Sequence, residues 1–282
     1  MARDSESRSP DLLSKGAEGG HVPLYDALAG DYDRFVNWEG RLRHELPFLI
    51  EQIGDPPGSV RREAIRVIDS ACGTGHHALA LARQGYQVVG ADLSAAMVEQ
   101  ARVNARDAGL EIPFHVVGLG QLSNLDQTFD AAICLGNSLP HLLSAKGVAE
   151  ALTDFSTILR PGGVLVIQNR NFDRVWAERR RFMDPQSWQG QSEEGEMLFV
   201  RFYDFHAEAL TFNMVRLRRV AGAWTQQVES TELRPILSHD LASALTGAEF
   251  DRVAFYGGYD GSAFDPAGSG DLIVVARRKH PA

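Results

Sequence analysis

Two carboxylates flanking a glycine turn are the residues of this chain best placed to do chemistry. Asp69 ends the apolar run Ile65-Arg66-Val67-Ile68, and Ser70-Ala71-Cys72-Gly73-Thr74-Gly75 follows it directly. Asp92 ends the next apolar run, Val88-Val89-Gly90-Ala91. It follows the turn at about the 20 residues that a helix and a strand occupy. Strand, glycine turn, helix, strand and acid make half of a mononucleotide-binding unit. The glycines let a ligand approach the backbone, and the acid lies where a ribose diol would sit. Gly73-Thr74-Gly75-His76-His77-Ala78 also fits the dinucleotide fingerprint. Asp69 argues against a pyrophosphate, because a carboxylate in the crevice repels an anion and favours a ligand that carries an amine.

These residues need a sheet to hold them. Apolar runs predict strands at 65–70, 87–91, 113–117, 129–135 and 163–168, with helices at 76–84, 95–107 and 147–159 between them. Ser94 is a suitable N-cap for the second of these helices. Such alternation implies a parallel sheet with right-handed crossovers. The order changes after Gln168. Three strand-like runs within 196–234 predict an antiparallel meander, then a helix at 238–247 and last strands at 251–256 and 271–277. Ahead of the sheet, residues 22–53 read as helical, and 54–62 as a Gly/Pro loop. Tyr25, Leu28 and Tyr32 fall on one helical face, and the pairs Tyr25-Asp26 and Tyr32-Asp33 recur two turns apart.

The fold class expected is α/β: a doubly wound, mostly parallel, seven-stranded Rossmann-like sheet with an inserted antiparallel β meander. The units expected are a disordered tail at 1–20, a helical cap at 21–62, a core at 63–170 and 236–280, and a lid at 171–235. The chain has 282 residues, 44% of them hydrophobic, enough to bury a sizeable core. Its 28 basic and 37 acidic side chains give a net charge of −9, which weighs against nucleic acid as a partner. The arginine clusters at 174–181 and 216–219 read as a solvated helix face and a charged strand edge. No apolar run is long enough to cross a membrane, and no apolar signal core stands at the start. Cys72 and Cys134 suggest neither a disulfide framework nor a zinc site, so no metal and a cytoplasmic location are expected.

Asp69-Ser70-Ala71-Cys72-Gly73-Thr74-Gly75 together with Asp92 resembles the first two motifs of the class I S-adenosylmethionine-dependent methyltransferases. The resemblance runs over roughly residues 25–278. It implies S-adenosylmethionine as cofactor, with Asp92 on the ribose hydroxyls, Asp69 toward the ammonium, and Cys72, Gly73, Thr74 and Gly75 beside it. It also puts Leu93 and Met97 near adenine, Leu135 along the crevice and Tyr25 over the methionine end. Relatives place an acid after the third strand for the adenine amino group. Here Val117-Gly118-Leu119-Gly120-Gln121-Leu122 has none, so backbone groups of Leu119 or Gly120 are expected to take its place.

Leu135-Gly136-Asn137-Ser138-Leu139-Pro140-His141-Leu142 and Arg170-Asn171-Phe172-Asp173 resemble the L-G-N-S-x-x-H-L and R-N-Y-D segments of the glycine and sarcosine N-methyltransferases, with Phe172 for Tyr. That likeness implies that Asn137 and Arg170 hold an acceptor carboxylate. The alternative for Arg170 is an ion pair with Asp173. His141 and Tyr25 are candidates for the reacting centre, or else packing residues. Aromatics of the insertion (Phe172, Trp176, Trp188, Tyr203, Phe205) either enclose a cation or form the meander's core. The acceptor expected is a small carboxylate-bearing amine, and self-association stays open. The alternatives are transfer to another small acceptor, or cofactor binding without turnover.

Overall fold

The computed structural model describes residues 23–54, 64–189 and 195–280. The expected tail at 1–20, and the loop at 54–62 beyond Gly54, lie outside these residues. Three helices open the chain: α1 (Pro23–Leu28), α2 (Tyr32–Phe35) and α3 (Trp38–Ile53). The single helix expected over 22–53 is therefore interrupted twice. Asn37 explains the second break, because its side chain accepts a hydrogen bond from Gly40 N–H and caps α3. Gly54, at φ +71°, ends that helix.

The core then alternates as the sequence predicts: β1 (Arg66–Ser70), α4 (His76–Arg83), β2 (Gln87–Asp92), α5 (Ala95–Asp107), β3 (Phe114–Val116), β4 (Phe129–Cys134), α6 (Ala145–Ile158) and β5 (Leu159–Arg170). Ser94 caps α5 by accepting from Met97 N–H, and Ser144 caps α6 in the same way from Gly147. After α7 (Phe172–Glu178) come β6 (Gln186–Gln189), β7 (Glu196–Phe205), β8 (Leu210–Val220) and β9 (Ala223–Leu233). The chain returns through α8 (Ser238–Gly247) to β10 (Phe250–Tyr256) and β11 (Asp271–Arg278).

Among the described residues the strands form two sheets. The main sheet has seven strands in the order β10-β11-β5-β4-β1-β2-β3. β1 pairs in parallel with β2 and β4, β4 with β5, and β2 with β3, while β11 runs antiparallel to β5 and β10. The chain leaves β1 in opposite directions toward β2 and toward β4. A crevice opens at the C-terminal strand ends at that switch point. Strand alternation sends Ile68 and Leu165 into one apolar layer with α6 and α8, and Val67 and Val166 into the other with α3, α4 and α5. The second sheet is the expected meander with one additional edge strand, in the order β6-β7-β8-β9 and antiparallel throughout. It packs against the N-terminal helices: Leu24 is buried with Met197, Phe199 and Met214. The Arg216 guanidinium pairs with Asp31 at 2.5 Å in a nearly buried bridge. Among the described residues no helix is long and apolar enough to cross a membrane.

Candidate active site

A cavity of about 640 Å³ occupies the crevice at the ends of β1, β2 and β4. It brings together most of the residues singled out from the sequence: Tyr25, Asp69, Cys72, Gly73, Asp92, Leu93, Met97, Leu119, Leu135 and His141. Asp92 is fixed by two backbone donors, Gly73 N–H and Ser94 N–H, each at 2.8 Å. The carboxylate thus clamps the glycine turn to its own strand and keeps further lone pairs for a diol. Burial raises its pKa, opposed by these hydrogen bonds. Asp69 accepts from Ala78 N–H at 3.1 Å and so caps α4 while it lines the cavity. Burial pushes its pKa up to about 7.

Gly73 and Gly75 do different work. Both have positive φ. A Cβ on Gly73 would meet nothing nearer than Tyr32 Cε1 at 3.9 Å, so that position opens to the cavity. A Cβ on Gly75 would lie 2.9 Å from Ala101 Cβ and 3.0 Å from Phe114 Cζ. Gly75 lets α4 pack against α5 and β3, and it does not line the cavity. Nor does Thr74, which is fully buried and donates through Oγ1 to Asp33. Gly120 is a left-handed turn residue facing α6. Leu119 and Gln121 line the cavity on either side of it.

The two Tyr-Asp pairs sit on separate short helices, not on one face of a single helix. Each Tyr lines the cavity, and each Asp ties its helix to the core. Asp26 accepts from Ser94 Oγ at 2.5 Å, and Asp33 accepts from Thr74, Trp38 Nε1 and Asn104. Trp38 and Arg41 are among the lining residues that escaped the sequence reading. The signal for them was Asn37, whose capping role starts a new helix and turns both side chains inward. The Arg41 guanidinium lies over Trp38 and donates from Nε to Glu45 at 2.8 Å. Glu45 meets His77 Nε2 at 2.6 Å through its other oxygen.

A second cavity, of about 270 Å³, adjoins the first. Both are lined by Tyr25, Tyr32, Arg41, Gly136 and His141. The Tyr25 hydroxyl and His141 Nε2 share a 2.9 Å hydrogen bond at this boundary. Burial holds His141 down to about 4, so the imidazole is neutral at ordinary pH, and burial keeps Tyr25 a phenol. Asn137 and Arg170 line the second cavity. Asn137 adopts φ +66° and accepts from Arg170 N–H at 2.9 Å, which joins the ends of β4 and β5. Asp173 does not pair with Arg170. It accepts from Ser238 N–H instead. Of the five aromatics considered for a cage only Tyr203 lines this cavity, while Phe172 is core, Trp176 stacks under Arg179 and Trp188 under Arg34. Among the described residues no cluster of three His, Cys, Asp or Glu could hold a metal ion, and both cysteines are free and buried.

The chain matches the methyltransferase domain family over residues 67–163. It is 30% identical over 196 residues to a glycine/sarcosine N-methyltransferase of Aphanothece halophytica, covering 67% of this chain and 72% of that one. It is 33% identical over 156 residues to the enzyme of the same name from Halorhodospira halochloris, and there the match spans only 54% of the relative's length. In fold it is similar to an S-adenosylmethionine-dependent methyltransferase from Clostridium acetobutylicum, at a TM-score of 0.73 and 16% identity over 91% of this chain and 99% of that one. The chain belongs to the S-adenosylmethionine-dependent methyltransferases. The first cavity fits that cofactor. It brings together the Asp92 carboxylate, an unobstructed Gly73, apolar Leu93 and Met97, and the opposite charges of Asp69 and Arg41, donors and acceptors of the kinds a ribose and an amino acid end need.

Proposed function

We propose that this protein transfers a methyl group from S-adenosylmethionine to the amine of a small carboxylate-bearing acceptor of the glycine or sarcosine type. The charge of the second cavity carries this reading. Arg41, Arg170 and Arg201 face it against Glu45 and Asp271, which leaves one positive charge in excess. Glu45 is committed to Arg41 and His77. Burial raises the Asp271 carboxyl, and the Arg170 charge opposes that shift. A monoanion balances the cavity, and a guanidinium fork suits a carboxylate. Names of the relatives point to the same acceptors.

S-adenosylmethionine, when bound, supplies a methyl group on a good leaving group. The chain's task is then alignment. Arg170, with Asn137 bracing its backbone, would fix the acceptor's carboxylate, so that the amine is directed to the boundary formed by Tyr25, Gly136 and His141. Alignment of this kind supplies roughly 7–11 kcal/mol. Neutral His141 and the Tyr25 hydroxyl give that boundary hydrogen-bonding capacity without a charge that would repel an approaching amine. The second sheet excludes water from the acceptor side with Tyr203, Phe212 and Met214.

The test is turnover of glycine and sarcosine against glycinamide and sarcosinamide, with labelled cofactor. The acids are expected to be methylated with kcat/KM at least about tenfold above the amides, because an amide cannot form the charge-assisted fork with the Arg170 guanidinium. Equal turnover of acids and amides, or product only from acceptors without a carboxylate, would overturn the assignment.

A further inference from the structure

A third cavity, of about 400 Å³, lies on the far side of the acceptor cavity. The three stand in series. The acceptor cavity shares Arg170, Met183, Arg201 and Tyr203 with the third, whereas the cofactor cavity and the third have no lining residue in common. The third cavity is also larger in volume than the acceptor cavity it adjoins. It is lined by Arg170, Arg174, Arg180 and Arg201 against Glu178 and Asp184, so it is positive in sum. Glu178 pairs with Arg174, and Asp184 with Arg180. Four guanidiniums against two carboxylates give the chamber its sign.

The order of the chambers has a consequence for traffic. The opposite boundary of the acceptor cavity is built from the Tyr25–His141 pair and from residues that also surround the cofactor. An acceptor arriving from that side would have to pass through the first cavity, where the cofactor would lie. We infer that the third cavity is the passage by which a small anionic acceptor reaches the transfer site, and its methylated product leaves, while the cofactor stays in place. The inference rests on the acceptor reading above. Arg170 and Arg201 then act twice, drawing the carboxylate inward through the outer chamber and holding it in the inner one. A positive mouth also raises the encounter rate of an anion.

Gly270 provides the test. It lines the third cavity, is exposed, has no positive φ, and a Cβ there would meet nothing within 4 Å. Its contact with Asn171 is through the backbone carbonyl, which any residue supplies. Gly270→Trp should obstruct the passage without disturbing the fold, and Gly270→Ala should behave as wild type. Arg180→Glu reverses a charge at the mouth and releases the exposed Asp184 from its surface ion pair, which costs little stability. The measurement is the association rate of sarcosine with the full chain saturated with S-adenosylhomocysteine, followed by stopped-flow fluorescence, alongside cofactor affinity by calorimetry.

Gly270→Trp is expected to slow association at least about tenfold, and Arg180→Glu severalfold in a salt-dependent manner, with cofactor affinity unchanged in both. Wild-type association in both variants would overturn the inference. So would a parallel loss of cofactor affinity, since that would make the third cavity part of one common site. Failure of the amino-acid reading shows separately, as a wild type that binds neither glycine nor sarcosine. The amine that the wild type does methylate then replaces them as probe, and the same two variants decide the passage.

Discussion

Asp69 carries two duties on one carboxyl. Its Oδ2 accepts from Ala78 N–H at the start of α4, and the same group faces the cofactor cavity, where Asp92 raises its pKa and Arg41 lowers it. Burial is the largest effect and pushes it up to about 7. The sign follows directly. The folded state holds this proton more tightly than the unfolded chain does, so Asp69 lowers stability as pH rises from about 4 toward 7. A cationic ammonium needs the carboxylate. Cofactor affinity is therefore expected to rise about fivefold between pH 6 and 7. Asp69→Asn, which keeps an oxygen for Ala78 N–H, should flatten that rise. Calorimetry showing no pH dependence in the wild type would reduce Asp69 to a helix cap. Asp69, Asp92 and Gly73 were legible from the sequence because a carboxylate or glycine at a strand end is fixed in place by the strand itself. Arg41 was not legible. It reaches the crevice from a preceding helix, and only the break at Asn37 turns it inward.

Elements decide what the glycine turn can tolerate. The G-T-G spacing reads as three equivalent cofactor contacts, yet only Gly73 faces the cavity. Gly75 leaves no room for a Cβ against Ala101 of α5 and Phe114 of β3, a packing requirement that nothing local in the sequence distinguishes from ligand binding. The two positions should separate on mutation. Both Gly→Ala changes carry the cost of positive φ, about 1–2 kcal/mol. Gly75→Ala adds overpacking of about 1–3 kcal/mol. Urea titration should find Gly75→Ala the less stable, while calorimetry should find Gly73→Ala the weaker cofactor binder. Equal losses in both assays would contradict this division. The core strands, α5 and α8 followed the apolar pattern closely, since the core strands are continuous buried runs and each helix buries one face. The N-terminal helices did not. Their apolar residues serve two neighbours, the core crevice and the second sheet, and one period cannot describe both. β6 escaped for a related reason. It is a four-residue edge strand held by pairing to β7.

At the scale of the whole molecule, the second sheet and the main sheet enclose the second cavity between them. β5 supplies Arg170, β7 supplies Arg201 and Tyr203, and the helices of the N-terminal segment close the remaining side. The Arg216–Asp31 bridge and the buried Leu24 cluster hold these parts together. The net charge of −9 conceals a positive second cavity, which is why composition set a limit on partners and gave no account of the substrate. The central claim is that Arg170 holds an acceptor carboxylate beside the cofactor. Arg170→Lys tests it most directly, because the ammonium keeps the charge and loses the planar fork. With sarcosine varied at saturating cofactor, kcat/KM is expected to fall at least about tenfold, while calorimetry finds the cofactor affinity of the wild type. Acceptor kinetics in Arg170→Lys equal to the wild type would contradict the account.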